Sequence, residues 1–186
     1  GIDDVLTTSP PASVHLIGAA VKRATGVKWV ADLRDSIALH AHRSADGIGA
    51  RAKQKARAGV AHLVARRADA IVTAAEAITA ETRGLSPVGR LVTIPNGCDF
   101  DDFAGLEHVH ADRLRITHAG SFFGKRDPKP FLRALAASGL EDVTVRFLGD
   151  FRPADREAVH ELGLDDRIEL IPHVPRRESL RLQRES

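Results

Sequence analysis

The chain has 186 residues, with 27 Lys and Arg against 25 Asp and Glu, giving a formal net charge of +2. That near balance argues against a dedicated nucleic-acid binder, and a 43% hydrophobic content argues against disorder. No apolar run approaches the ~18 residues of a membrane span, and the single cysteine, Cys98, can neither close an internal disulfide nor hold a zinc ion alone.

Strand-like and helix-like stretches alternate along the chain. Val5 to Thr8 is β-prone, Pro10-Pro11 breaks it, and Ser13 is placed to cap a helix running to Thr25 with Val14, Ile17 and Val21 on one side. Gly26 stops that helix, and Lys28 to Leu33 reads as the next strand. A polar region leads to a long helix from about Ala50 to Arg67, where Ala52, Ala56, Val60, Leu63 and Val64 recur at helical spacing. Ala70 to Thr73 is a strand, Glu76 to Thr82 a helix and Leu91 to Ile94 a strand. The alternation pauses at Pro95-Asn96-Gly97 and the acidic stretch Asp99 to Asp102. It resumes with a strand at Leu114 to His118, a helix from Lys129 to Ala137 and a strand at Val143 to Leu148. A helix from Pro153 to Leu162, a strand at Arg167 to Ile171 and a last helix from near Pro175 complete the chain.

Strands separated by helices predict βαβ units and parallel sheets, so the fold class is α/β with two Rossmann-like blocks. In such sheets ligands bind at the carboxyl ends of the strands. The loop His118-Ala119-Gly120-Ser121-Phe122-Phe123-Gly124-Lys125-Arg126 then carries the strongest signal. Gly120 and Gly124 let the backbone approach a ligand, Lys125 and Arg126 add positive charge, and the following helix aims its positive end at the same place. These features suit a diphosphate; a solvated turn with two surface cations is the plainer reading. Asp32 and Asp35, in Asp32-Leu33-Arg34-Asp35 at a strand's carboxyl end, are candidate general bases, with pairing of Asp35 to Arg34 as the alternative.

Other motifs are weaker. Gly47-Ile48-Gly49 imitates a dinucleotide fingerprint, which must directly follow a strand, and it supports an alternative NAD-type binder. Asp99-Phe100-Asp101, His40/His42 and His108/His110 do not complete a metal-ligand spacing, so no metal site is expected. His15, among Val14, Leu16 and Ile17, reads as a core or surface histidine rather than a catalyst. Residues 40–68 hold seven cations (Arg43, Arg51, Lys53, Lys55, Arg57, Arg66, Arg67) against one acid, Asp46. A basic amphipathic helix at an anionic membrane surface is one reading, and a solvated face is the other.

Val92-Thr93-Ile94-Pro95-Asn96-Gly97-Cys98-Asp99-Phe100-Asp101-Asp102-Phe103 resembles the interdomain segment of family 4 GT-B glycosyltransferases. Ile116-Thr117-His118-Ala119-Gly120-Ser121 resembles the first strand and donor loop of their C-terminal domain, and Phe147-Leu148-Gly149-Asp150 its second strand. Thr8-Ser9-Pro10-Pro11 and Val30 to Asp35 resemble a bacterial subgroup of the same family.

The resemblance implies that residues 1–97 are part of an N-terminal acceptor-binding domain, 98–113 a linker, and 114–186 the start of a nucleotide-sugar-binding domain. A UDP- or GDP-sugar would be the donor, contacted by Gly120, Ser121, Lys125 and Arg126, with His173 and Val174 near the base. A glycan or lipid-linked acceptor, retention at the anomeric carbon, no required metal and a cytoplasmic place at the inner face of the membrane are further implications. The sequence departs from the family where Ser121 replaces the common Arg and Arg34 a common His. The absence of Met, with Gly1 first, and a family motif expected past Ser186 together imply the central piece of a longer enzyme, inactive alone. A non-catalytic α/β module is the remaining alternative.

Overall fold

A computed structural model describes residues 1–37, 47–109, 113–122 and 126–186. The chain divides into two compact units, Gly1–Gly97 and Cys98–Ser186. Each contains one parallel sheet with its own core.

In the first unit, strands β1 (Asp4–Ser9), β2 (Lys28–Leu33), β3 (Ala70–Thr73) and β4 (Arg90–Thr93) lie side by side in chain order. Helices α1 (Val14–Thr25), α2 (Ile48–Arg67) and α3 (Glu76–Gly84) connect them. Right-handed crossovers between successive neighbours place all three helices on one face. The burial pattern agrees: Trp29, Ala31 and Leu33 of β2 are buried with Ala61, Val64 and Ala68, whereas Leu6 on the alternate face of β1 is 64% exposed.

Two expectations about the helices change. Ser13 sits at the start of α1 but its side chain makes no capping bond. The inward face of α1 carries His15 and Gly18, not Val14, Ile17 and Val21; Ile17 is 61% exposed. The cause is the space beside Trp29: a Cβ on residue 18 would lie 2.3 Å from Trp29 Nε1 and 2.8 Å from Thr7 Cγ2, so only glycine lets α1 approach the sheet there. Trp29 Nε1 donates to Thr7 Oγ1 at 2.7 Å, and the same hydroxyl meets His15 Nδ1 at 2.8 Å. These bonds compensate the burial of polar atoms in the core. In α2, Ala52 and Ala56 are exposed; only the second half of the helix packs, through Ala61, Val64 and Ala65.

In the second unit, β5 (Leu114–Ala119), β6 (Val143–Leu148) and β7 (Ile168–Ile171) form a sheet in chain order. Helices α4 (Lys129–Ala137) and α5 (Pro153–Glu161) cover the face that carries Val143, Val145 and Phe147. Phe147 is the centre of an aromatic cluster, with the rings of Phe122, Phe131 and Phe151 at 5.5, 6.2 and 5.3 Å.

Helix α6 (Arg176–Arg184) follows β7. Arg146, on the alternate face of β6, donates to Glu169 at 2.8 Å, to Glu185 at 3.1 Å and to the Leu182 carbonyl at 3.3 Å. Burial works against the Arg146 charge, but these acidic partners raise its pKa above the ordinary guanidinium value. The segment after Gly97 is fastened to the same helix. Asp99 accepts from the Asp101 amide and starts a short 3-10 helix (Phe100–Phe103). Arg176 then donates twice to Asp102, and His108 donates to the Arg184 carbonyl at 2.8 Å.

Candidate functional site

At the carboxyl edge of the second sheet, the loops after β5 and β6 hydrogen-bond to each other and to the ends of the neighbouring strands. The register pairs Ala119 with Leu148 and Leu148 with Ile171, so the loops after β5, β6 and β7 leave the sheet side by side. The Gly120 amide donates to the Leu148 carbonyl at 2.9 Å, and the Gly149 amide to the Ile171 carbonyl at 2.9 Å. Ser121 Oγ accepts from the Asp150 amide at 3.0 Å and thus joins the first loop to the second.

Gly120 has φ +141° and Gly149 φ +122°, backbone that favours glycine. At Gly149 space is also short: a Cβ would lie 3.1 Å from Ser121 Oγ and 3.2 Å from the Gly120 carbonyl carbon. The His118 ring stacks on Phe122 at 4.7 Å with 19° between planes, which anchors the first loop to the aromatic cluster.

The charges at this edge are mixed. Arg126 is exposed, and Lys125 and Gly124 lie outside the described residues. The positive end of α4 is occupied by the protein itself, since Asp127 Oδ1 accepts from the Lys129 amide at 3.0 Å. This modifies the expectation of an open helix terminus facing the ligand, because an internal carboxylate answers part of the dipole.

Arg152, overlooked in the sequence, is a further cation at this place, and two carboxylates already answer its charge. It lies 3.8 Å from Asp127 and donates to the buried Asp155 at 2.5 and 3.0 Å. The bonds with Asp155 raise its pKa above the ordinary value, so it remains a cation. Its position just after Phe147-Leu148-Gly149-Asp150, at the start of α5, is the signal that could have found it. In the loop after β7, His173 is exposed and Val174 half-buried.

At the carboxyl edge of the first sheet, Asp32 is half-buried and Asp35 exposed. Ser9 Oγ donates to the Asp32 carbonyl at 3.4 Å. Among the described residues no ion pair joins Asp35 to Arg34. His15 is fully buried, and among the described residues its Nε2 has no partner. Burial pushes its pKa down while Asp32 partly opposes the shift, so the ring is held neutral.

Gly47 begins α2 with φ +100°, but β2 ends at Leu33 and the described residues 34–37 are not strand. Among the described residues no strand leads into this fingerprint, and residues 38–46, directly before it, lie outside them. Among the described residues no group of three or more His, Cys, Asp or Glu could hold a metal ion. His40, His42 and His110 lie outside those residues. No helix among them is long and apolar enough to cross a membrane.

Sucrose-phosphate synthase from Thermosynechococcus elongatus is similar over 98% of this chain and 48% of its own, at a TM-score of 0.69 and 16% identity. The fold is GT-B. Anabaena HepE, solved in complex with UDP-glucose, covers 94% of this chain and 50% of its own at a TM-score of 0.64 and 18% identity. TarM covers 92% and 32%, at 0.60 and 12%. The chain thus spans about half the length of the first two, and identities this low establish the architecture alone. No family model and no curated protein matches it.

Proposed function

We propose that this chain is the central part of a retaining glycosyltransferase that moves a sugar from a nucleoside-diphosphate sugar to a glycan or lipid-linked acceptor. The observation that supports the reading is the interlocked carboxyl edge of the second sheet, where Gly149 lies so close to Ser121 and Gly120 that a side chain there would crowd them. Gly120, Ser121, Lys125, Arg126 and Arg152 form its donor-diphosphate side, with His173 and Val174 toward the base. The departing diphosphate gains negative charge as the glycosidic bond breaks, and fixed cations beside it lower that barrier. Asp32 and Asp35 are assigned to the acceptor side, on the first unit.

Support for a uridine nucleotide comes from HepE, which was solved with UDP-glucose and with UDP. The reading places the protein in the cytoplasm at the inner face of a membrane, with roles in cell-surface glycan or glycolipid synthesis. Calorimetric titration of UDP and GDP into the wild-type chain and Arg126→Ala is the test. Weaker binding by the variant is expected, about tenfold for one lost charge-assisted contact. Equal binding by both proteins would remove the diphosphate assignment.

A further inference from the structure

At the carboxyl edge of the second sheet, one carboxylate oxygen stands between two groups that suit an anionic ligand. Asp127 Oδ1 accepts from the Lys129 amide at 3.0 Å and lies 3.8 Å from Arg152 Nη2. The first turn of α4 has few donors to offer. Pro128 and Pro130 have no amide hydrogen. The turn is left with the amides of Lys129 and Phe131, and the one from Lys129 goes to Asp127.

The two carboxylates that meet Arg152 differ in kind. Asp155 accepts from Arg152 Nε at 2.5 Å and from Nη2 at 3.0 Å, and its side chain is 1% exposed. Taking Arg152 away from it would strand a buried charge, so Asp155 fixes the guanidinium in place. Asp127 makes a single approach at 3.8 Å, and its side chain is 47% exposed. A long contact between half-exposed groups is weak and open to competition. Arg152 therefore has a held side, toward Asp155, and an exchangeable side, toward Asp127.

We infer that Asp127 is a specificity-determining residue of this edge: its carboxylate competes with the ligand's phosphates for Arg152 and the Lys129 amide, and so favours a diphosphate esterified by a sugar over a free one. The inference deepens, and rests on, the reading above that this edge binds a nucleoside-diphosphate sugar. Every negative charge brought to Arg152 also meets the charge of Asp127, so the repulsion grows with the charge of the ligand. A free terminal phosphate sheds its second proton near pH ~6, whereas a phosphate esterified by a sugar has no such proton to lose. At neutral pH the free diphosphate therefore carries about one more negative charge and meets the larger repulsion. The consequence is easier release of the spent nucleoside diphosphate.

The test is calorimetric titration of UDP, UDP-glucose and uridine into the 186-residue chain and into Asp127→Asn. Asparagine keeps the capping oxygen and loses the charge, so the thermal melt should not move. UDP should bind the variant about fivefold more tightly, the upper end for one half-exposed charge pair. UDP-glucose should gain about twofold, from its lower charge, and uridine nothing. Both gains should shrink as salt is raised. Asp127→Ser, which also caps without a charge, should reproduce them. Equal affinity of UDP for wild type and both variants, weaker binding of UDP by the variants, or a gain for uridine as large as that for UDP would each overturn the inference and leave the donor-site reading standing. Binding of UDP by none of the three proteins would remove that reading and this inference together.

Discussion

Gly149 illustrates how one missing methyl group organises a site. An alanine there would have to adopt φ +122° and push on Ser121 Oγ at 3.1 Å. Gly149→Ala should cost about 1–3 kcal/mol in denaturant unfolding of the second unit and displace the Asp150 amide resonance, whose partner is Ser121. In the first unit Thr7 holds two buried groups at once, Trp29 Nε1 and His15 Nδ1. Thr7→Val is nearly isosteric and leaves both without that oxygen, so a loss of roughly 2–4 kcal/mol is expected by urea unfolding.

Two residues make the first unit acid-sensitive in separate windows. His15 has a lowered pKa, chiefly from burial, so the unfolded chain takes up a proton first. Its contribution to stability is complete above the ordinary imidazole value of about 6.5 and is lost as pH falls through the lowered folded value. Asp69 is lowered by hydrogen bonds from Lys22 and the Trp29 amide. Its contribution is present above the ordinary carboxylate range and is lost as pH falls below it. Thermal melts from pH 7 to pH 3 should therefore drop in two stages, and Asp69→Asn should remove the lower one. The unusual backbone at Gly120 was legible in the sequence because glycine beside a strand end has few uses, whereas the packing of Gly149 on Ser121 was not. His15 and Gly18 were not, because a polar ring and a residue without a side chain carry no apolar signal; only the fit against Trp29 turns them inward.

At the scale of elements, alternating β-rich and helical segments made the seven strands and six helices of the described residues readable in order. What the pattern missed was the packing of each helix. Periodicity extended the buried stripe of α2 to Ala52 and Ala56, yet the sheet ends before it can cover them, and alanine is tolerated on either side of that boundary. The attachment of α6 was also hidden, since it depends on Arg146 in a strand meeting Glu185 near the chain's end. Arg146→Ala would strip Glu185 of a close partner and Glu169 of its own, with Glu169 already 58% exposed. A cost of about 2 kcal/mol is expected, reduced from that of a fully buried pair. Amide exchange should accelerate in α6 and leave α4 and α5 protected.

At the scale of the molecule, two units with separate cores carry two different kinds of edge. The first offers Asp32, Asp35 and a cationic helix; the second offers an interlocked edge beside Arg126 and Arg152. The Ile94-Pro95-Asn96-Gly97 segment carried a resemblance to GT-B enzymes in the sequence, and the GT-B fold agrees with it. Side-chain charge at the second edge stayed illegible, because the approach of Arg152 to Asp127 joins two loops that are remote in sequence. The central claim is that this edge binds a nucleoside diphosphate, and amide chemical shifts measured during a UDP titration test it most directly. Saturable shifts confined to Gly120, Ser121, Gly149, Asp150 and their neighbours, with Gly47 and Gly49 unmoved, are predicted. Titration that leaves those four amides in place, or that moves Gly47 and Gly49 instead, would contradict the account.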